Sequence, residues 1–265
     1  MTSWMRGDMG LLDRLRAEVH VPDADGVRVL DVPSVMNLRE LGGYDTPDGP
    51  TKSHRFLRCG STRCATRKDR DWLAGYGLTH VLDLRGQGES PAVTCPYARD
   101  RSVVWKNVSF YGTNLSDPQL VAARKSLDYL TGGYLTMLGN HEAVCQIVGF
   151  LAHVPLGECA LFHCAAGMDR TGMVSMLLLG AAGVSRSDII RDYLYSFGRV
   201  REVDHIVDTG ELPEPSTGSR LEGRLATISG VYDVMMAAYG SVKGYLLACG
   251  VPAGDLELLR QRLIG

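Results

Sequence analysis

Short apolar runs alternate with amphipathic stretches along most of the chain. Runs with the length of buried strands occupy residues 55–59, 80–84, 102–110 and 159–162. Apolar residues at helical spacing follow or separate them, at 142–153, 187–197 and 221–235. Alternation of this kind predicts an α/β domain with a mainly parallel central sheet flanked by helices.

The helix predicted just after the first strand has a clear start and stop. Thr66 is the expected N-cap, and Asp69 lies in the first turn. Its predicted apolar face consists of Trp72, Leu73 and Tyr76, and Gly77 ends it. Residues 171–184 are apolar almost all round, which predicts a central, buried helix.

Three further segments complete the predicted organisation. Residues 9–19 have the spacing of a short amphipathic helix, and two short helices are expected at the end of the chain, the last from about Asp255. The stretch 199–220 is polar and carries two glycines and two prolines, so we expect an exposed loop or a helical lid. We expect a single domain over 1–265, with the candidate lid as an insertion.

The overall composition limits the classes of binding partner and the cellular location that we expect. A net charge of −2 gives no general attraction to nucleic acid or to an anionic membrane. The longest apolar run, 176–184, is too short for stable membrane insertion, and residues 1–20 show no signal-peptide core. The seven cysteines lack the spacing of a disulfide framework, which favours reduced thiols and a cytoplasmic location.

The most informative segment is the loop His163-Cys164-Ala165-Ala166-Gly167-Met168-Asp169-Arg170-Thr171-Gly172, between a predicted strand and a predicted helix. Free N–H groups at a helix start attract anions, and Gly167 lets the backbone curl so that these groups converge. Arg170 can hold two phosphate oxygens in its planar fork. The loop therefore predicts a phosphate-binding site.

Cys164 is the expected nucleophile of this site. The helix dipole and Arg170 favour its thiolate, which can attack phosphorus and form a phospho-cysteine that water then hydrolyses. Thr171 is placed to hydrogen-bond the sulfur, and His163 to orient the loop. We expect His163, Ala165, Ala166, Gly167, Met168 and Thr171 to bind the substrate phosphate.

The leaving oxygen also needs a proton donor. The loop itself contains Asp169, and the predicted strand at 80–84 contains Asp83. Both remain candidates, with Asp169 preferred because the loop sets its position. The competing interpretation of Asp83 is a structural carboxylate paired with Arg85. We also expect Arg39 and Glu40 to form an ion pair that braces the loop.

These residues resemble the protein tyrosine phosphatase superfamily, whose signature is a cysteine, five residues, then arginine and threonine. The longer string is similar to the HCxxGKDRTG loop of bacterial tyrosine and phosphoinositide phosphatases. The segment 37–44, NLRELGGY, resembles that family's NFRDLGGY, and Asp83-Leu84-Arg85 with Glu89 resembles its DLR and following acid. Residues 239–246 are similar to the family's C-terminal segment, so the likeness runs from about residue 30 to the end of the chain.

The resemblance implies a cysteine-phosphatase fold, no metal or other cofactor, and activity on phosphotyrosine, on phosphoserine or on phosphoinositides. Met168 departs from the pattern, because it stands where the family has a lysine. Loss of that lysine argues against polyanionic head groups but leaves the nucleophile and Arg170 intact.

The same residues allow other interpretations. A phosphatase for a sugar or nucleotide phosphate would use the same loop, and a non-catalytic phosphate-binding module would be expected to lack Cys164 or Arg170. A zinc site from Cys59 with Cys64, or from Cys159 with Cys164, is disfavoured because structural zinc sites use tighter spacing. The sequence thus predicts a cysteine phosphatase acting on a phosphorylated protein or a small phosphate ester.

Overall fold

The computed structural model describes residues 29–89, 91–111, 129–196 and 221–265. Within them is a five-stranded sheet in the order β1-β2-β5-β3-β4. The strands are β1 Arg39–Glu40, β2 Phe56–Cys59, β3 Leu78–Asp83, β4 Val104–Asn107 and β5 Cys159–His163. Only β1 is antiparallel to its neighbour. The predicted α/β fold with a mainly parallel sheet is confirmed. The helix predicted at 9–19 and the lid predicted at 199–220 lie outside the described residues.

The central position of β5 follows from its composition. All five residues of the strand are buried, as expected for a strand covered on both faces. Cys59 at the end of β2 and Asp83 at the end of β3 pair in register with His163 at the end of β5. The carboxyl ends of three parallel strands therefore meet where the 163–172 loop begins, and this is where α/β sheets bind ligands.

Helices cover both faces of the sheet. In the described residues they are α1 Arg67–Gly75, α2 Pro91–Thr94, α3 Tyr129–Leu138, α4 His141–Ala152, α5 Asp169–Ala181, α6 at 186–196, α7 Leu221–Tyr239, α8 Val242–Ala248 and α9 Ala253–Leu263. Two short 3₁₀ turns, Gln87–Glu89 and Pro96–Arg99, flank α2. One core packs α3 to α9 against the sheet, and a second, smaller core lies on the α1 side.

The predicted helix signals are confirmed at α1 and α5. Thr66 forms a capping box with Asp69, in which each side chain accepts from the other residue's backbone N–H. Helix α5 is buried along nearly its whole length, as the all-round apolar pattern indicated. It begins two residues earlier than predicted, at Asp169, so that the end of the loop forms its first turn.

Two details of the sequence prediction were wrong. Trp72 is 44% exposed and does not belong to the apolar face of α1, where Leu73 alone is fully buried. The strand predicted at 102–110 is shorter, because Ser102 donates from both its backbone N–H and its hydroxyl to Asp100 in a local turn. In the described residues, no helix combines the length and the hydropathy needed to cross a membrane.

Candidate active site

The loop after β5 is tightly curled around Cys164. Gly167 has φ of +70°, and a Cβ at this position would lie 2.4 Å from the carbonyl carbon of Cys59. Only glycine satisfies both restrictions. Cys164 is 2% exposed, so its sulfur lies at the bottom of the loop rather than on an open surface.

Carbonyl groups of this loop are held from outside by other elements. The amide of Asn37 donates to Ala166 O and Gly167 O, at 3.3 and 3.0 Å. Arg58 also donates to Gly167 O, at 2.7 Å, and the N–H of Ser61 donates to the carbonyl of residue 165 at 2.6 Å. These bonds hold the carbonyl oxygens of residues 165–167 so that they point away from the centre of the loop.

The opposite side of these peptides consists of N–H groups. None of the backbone N–H groups of residues 165–170 donates to any described residue. Buried or partly buried N–H groups are normally paired, so a run of them without acceptors is a site prepared for an anion. The start of α5 at Asp169 adds the positive end of its dipole.

A buried ion cluster supports the loop from below. Asp192 on α6 accepts from Arg39 Nε at 3.0 Å and from Arg58 Nη1. Ser196 accepts from both arginines, at 2.8 and 3.3 Å. The predicted pair between Arg39 and Glu40 is wrong. Glu40 instead accepts from the backbone N–H of residue 54 and from the hydroxyl of residue 76, because β1 turns the two side chains to opposite faces.

Arg170 faces the front of the loop, where a phosphate would lie. Both of its terminal nitrogens donate to Glu89. Burial of the two groups opposes their charged forms, but the bonds between them prevail, so the pKa of Arg170 is raised and that of Glu89 is lowered. Its Nε is buried and has no described partner. The ring of Tyr111 lies 4.9 Å from the Arg170 guanidinium carbon and is half exposed. Glu89 thus orients an arginine that keeps a donor free.

Asp83 is not placed to protonate a leaving group. Its side chain has no exposed surface, and both oxygens accept from Arg85, at 2.7 to 3.2 Å. Burial would raise its pKa, but the bonds from Arg85 and the nearby His163 lower it. These contacts favour the structural interpretation of Asp83. His163, whose Nε2 lies 3.7 Å from Asp83, has its pKa lowered by burial.

Asp169 lies at the first turn of α5 and is partly exposed. Its Oδ1 accepts from the Tyr134 hydroxyl and, at 2.8 Å, from Arg224 Nη1. Arg224 also reaches the hydroxyls of Tyr134 and Tyr193, at 3.0 and 3.3 Å. Of the two carboxylates that the sequence left open, Asp169 has a partly exposed side chain, at 32%, whereas Asp83 has none of its side chain exposed.

Two loop side chains differ in their surroundings. The hydroxyl of Thr171 is buried and has no described hydrogen-bond partner, and its hydrogen bond to the sulfur of Cys164 stays a prediction. The side chain of Met168 is 3% exposed and belongs to the main core. Met168 therefore offers a substrate its backbone N–H rather than its side chain.

Two groups of side chains that include cysteine are candidates for a metal site. Cys59 is buried and Cys64 exposed, so the first zinc pair does not converge. Ligand atoms of Asp83, Cys95 and His163 lie within 4.8 Å of one another. Arg85 already occupies both oxygens of Asp83, and burial raises the pKa of the Cys95 thiol, so this cluster fits an internal ion pair better than a cation site.

Comparison with known proteins decides the family. The sequence model of the tyrosine phosphatase family matches residues 30–265 of this chain. The chain belongs to this family. It is 30% identical over 217 residues to a tyrosine-protein phosphatase of Nostoc commune, covering 78% of this chain and 74% of the relative. A putative tyrosine-protein phosphatase of Cupriavidus necator is 29% identical over 247 residues, covering 88% and 90%. The triple specificity protein phosphatase PtpB of Mycobacterium tuberculosis is 31% identical over 155 residues, covering 52% and 55%.

Membership in the tyrosine phosphatase family and the geometry of the loop agree. The protein is a cysteine-dependent phosphatase, and the sequence-based prediction of this reaction class is confirmed. The sequence did not reveal Asn37 as a support of the loop, nor did it point to Asp192, Tyr134, Tyr193 or Arg224. No motif marks these four residues, and only the packing of α3, α6 and α7 around the loop brings them to it.

Proposed function

We propose that the protein removes phosphate from phosphotyrosine in phosphorylated proteins, with Cys164 as nucleophile and Asp169 as proton donor and acceptor. The observation that carries the proposal is the ring of unpaired N–H groups at 165–170, which surrounds Cys164 and is flanked by Arg170. Such a ring binds the three non-bridging oxygens of a phosphate monoester. The same loop is the proposed substrate-binding site.

In the first step, the thiolate of Cys164 attacks phosphorus and a sulfur–phosphorus bond forms. The bond from phosphorus to the leaving oxygen breaks, and Asp169 transfers its proton to that oxygen. The loop N–H groups and Arg170 hold the equatorial oxygens, where negative charge is spread in the transition state. The alcohol or phenol then leaves.

In the second step, water attacks the phospho-cysteine and Asp169 takes a proton from it. The sulfur–phosphorus bond breaks, inorganic phosphate is released, and the sulfur leaves as a thiolate. The unpaired hydroxyl of Thr171 is the donor that stabilises this departing sulfur. No group other than water is consumed.

Tyr111 supports an aryl substrate. Its ring contacts the Arg170 guanidinium and is 54% exposed, so it offers an aromatic surface beside the phosphate site. A phenyl ring attached to the bound phosphate can stack on that surface. The names of the relatives from Nostoc commune and Cupriavidus necator point to the same substrate.

The free thiols support a cytoplasmic location, and residues 199–220 remain our candidate lid on a single phosphatase domain.

A substrate panel tests the proposal. We expect phosphotyrosine peptides to be hydrolysed with a higher kcat/KM than phosphoserine peptides, phosphoinositides or sugar phosphates. Cys164→Ser should abolish turnover of every substrate while leaving the circular dichroism spectrum unchanged. Full activity of this variant would refute the nucleophile, and a clear preference for sugar phosphates would refute the substrate assignment alone.

A further inference from the structure

A hydrogen-bonded cluster of Tyr134, Tyr193, Arg224 and Asp169 lies beside the loop. The residues come from α3, α6, α7 and the first turn of α5, so four helices meet at one carboxylate. The two tyrosines are 1% exposed and the Arg224 side chain is 17% exposed. Nothing in the chemistry of the loop itself requires this cluster.

The direction of the hydrogen bonds follows from the chemistry of the groups. A carboxylate only accepts, so Tyr134 donates its one hydroxyl hydrogen to Asp169 Oδ1. Tyr193, whose oxygen lies 2.6 Å from that of Tyr134, must then donate to Tyr134. Burial raises the pKa of both phenols, to about 12 for Tyr193, so both stay neutral donors at physiological pH.

Arg224 completes the arrangement with a single nitrogen. Its Nη1 contacts Asp169 Oδ1, the Tyr134 oxygen and the Tyr193 oxygen within 3.3 Å. Oδ1 of Asp169 therefore holds two donors, whereas no described residue donates to Oδ2. The carboxylate is fixed in rotation, and its one unoccupied oxygen is the one left for a reacting proton.

We propose that Arg224, acting with Tyr134 and Tyr193, is a positioning residue that aims Oδ2 of Asp169 at the leaving oxygen. The inference rests on the proposed role of Asp169. Proton transfer requires a heavy-atom separation of about 2.6–3.2 Å, so free rotation of the Asp169 side chain costs rate even when its position along the chain is unchanged. Arg224 itself does not contact the reacting atoms.

The test compares aryl phosphates whose leaving groups differ in basicity. A strongly acidic phenol such as 2,4-dinitrophenol leaves without protonation, whereas phenol needs the proton from Asp169. We expect Arg224→Met to lower kcat/KM for phenyl phosphate by about 10- to 100-fold, a part of the roughly 10²–10⁴-fold that general acid catalysis contributes, and to leave kcat/KM for 2,4-dinitrophenyl phosphate nearly unchanged. The comparison uses kcat/KM because this quantity reports only the steps up to departure of the leaving group, whereas hydrolysis of the phospho-cysteine, which also uses Asp169, is common to both substrates. The ratio of the two rates is measured on one sample, so the fraction of folded enzyme cancels.

Two further variants separate positioning from structure. Arg224→Lys keeps the charge and a donor but loses the planar fork, and should restore part of the phenyl phosphate rate. Arg186→Met is the matched control, because it removes an exposed arginine that pairs with Asp233 and also joins α6 to α7. It should leave the rate ratio at the wild-type value.

A double-mutant cycle with Asp169→Asn shows whether a negative result contradicts the role of Asp169 or only that of Arg224. If Arg224 acts through Asp169, Arg224→Met should lower the phenyl phosphate rate of Asp169→Asn by less than about 2-fold, because coupled residues are not additive. A normal rate ratio in Asp169→Asn refutes the role of Asp169 itself. A lowered ratio in that variant with a normal ratio in Arg224→Met overturns the positioning role alone. A rise in KM for all substrates in Arg224→Met would show direct phosphate binding and would also overturn it.

Discussion

The ion cluster under the loop gives a stability prediction that can be worked out from the structure. Asp192 is 2% exposed and contacts two arginines, Arg39 and Arg58, that are 1% and 0% exposed. Asp192→Asn keeps the shape of the side chain and removes its charge. Two buried guanidinium groups then lose the negative charge of Asp192 while the cost of burying them remains.

The expected magnitude is large for a single substitution. Removing one partner of a buried ion pair costs about 3–5 kcal/mol, against a typical total stability of roughly 5–15 kcal/mol. For a domain of this size, that loss lowers the melting temperature by on the order of 10 °C. Because Arg58 also holds Gly167 O at 2.7 Å, we expect kcat to fall even at temperatures where the variant stays folded.

Urea unfolding monitored by circular dichroism measures the change in the free energy of unfolding. The matched control is Asp233→Asn, whose partner Arg186 is also an arginine but whose side chain is 60% exposed. An exposed pair of this kind contributes about 0–1 kcal/mol. If Asp192→Asn lost no more than this control, the reasoning that the buried cluster depends on the charge of Asp192 would be refuted.

Three further predictions concern the loop and its neighbours. Gly167→Ala should abolish turnover, because the new side chain would sit at a φ of +70° with its Cβ 2.4 Å from a backbone atom. The control Gly75→Ala, whose Cβ would have nothing within 4 Å, should be neutral or raise the stability in thermal melts by up to ~1 kcal/mol. Glu89→Gln should raise KM for aryl phosphates several-fold by loosening Arg170, and inorganic phosphate should inhibit the variant more weakly; unchanged values would show that Glu89 does not orient it. Burial lowers the pKa of His163 below 6.5, so near and below that pH the unfolded chain binds more protons than the folded one, and stability should fall as pH falls. In urea melts between pH 7.5 and 5.5, the free energy of unfolding should therefore depend less steeply on pH in His163→Asn than in the wild type.

The loop itself was predictable from local chemistry. A run of 163–172 between a buried strand and an apolar helix specifies a curled backbone, free N–H groups, a nucleophile and an arginine, because all of these depend on neighbours in the chain. The capping box at Thr66 and Asp69 was predictable for the same reason. Strand boundaries were less so, because Ser102 and Asp100 form a local turn that no apolar pattern reveals.

The choice between the two carboxylates depended on tertiary structure. Asp83 and Asp169 both lie near strand or loop ends in the sequence, but β3 packs beside β5 and buries Asp83 against Arg85, whereas α5 turns Asp169 toward the open side of the loop. The sequence by itself determined the reaction class and predicted the nucleophile and the phosphate loop, since all three depend on ten consecutive residues. The proposed roles of Asp169 and Arg224 depend on helices distant in sequence, because Tyr134 and Arg224 reach Asp169 only once the core has packed.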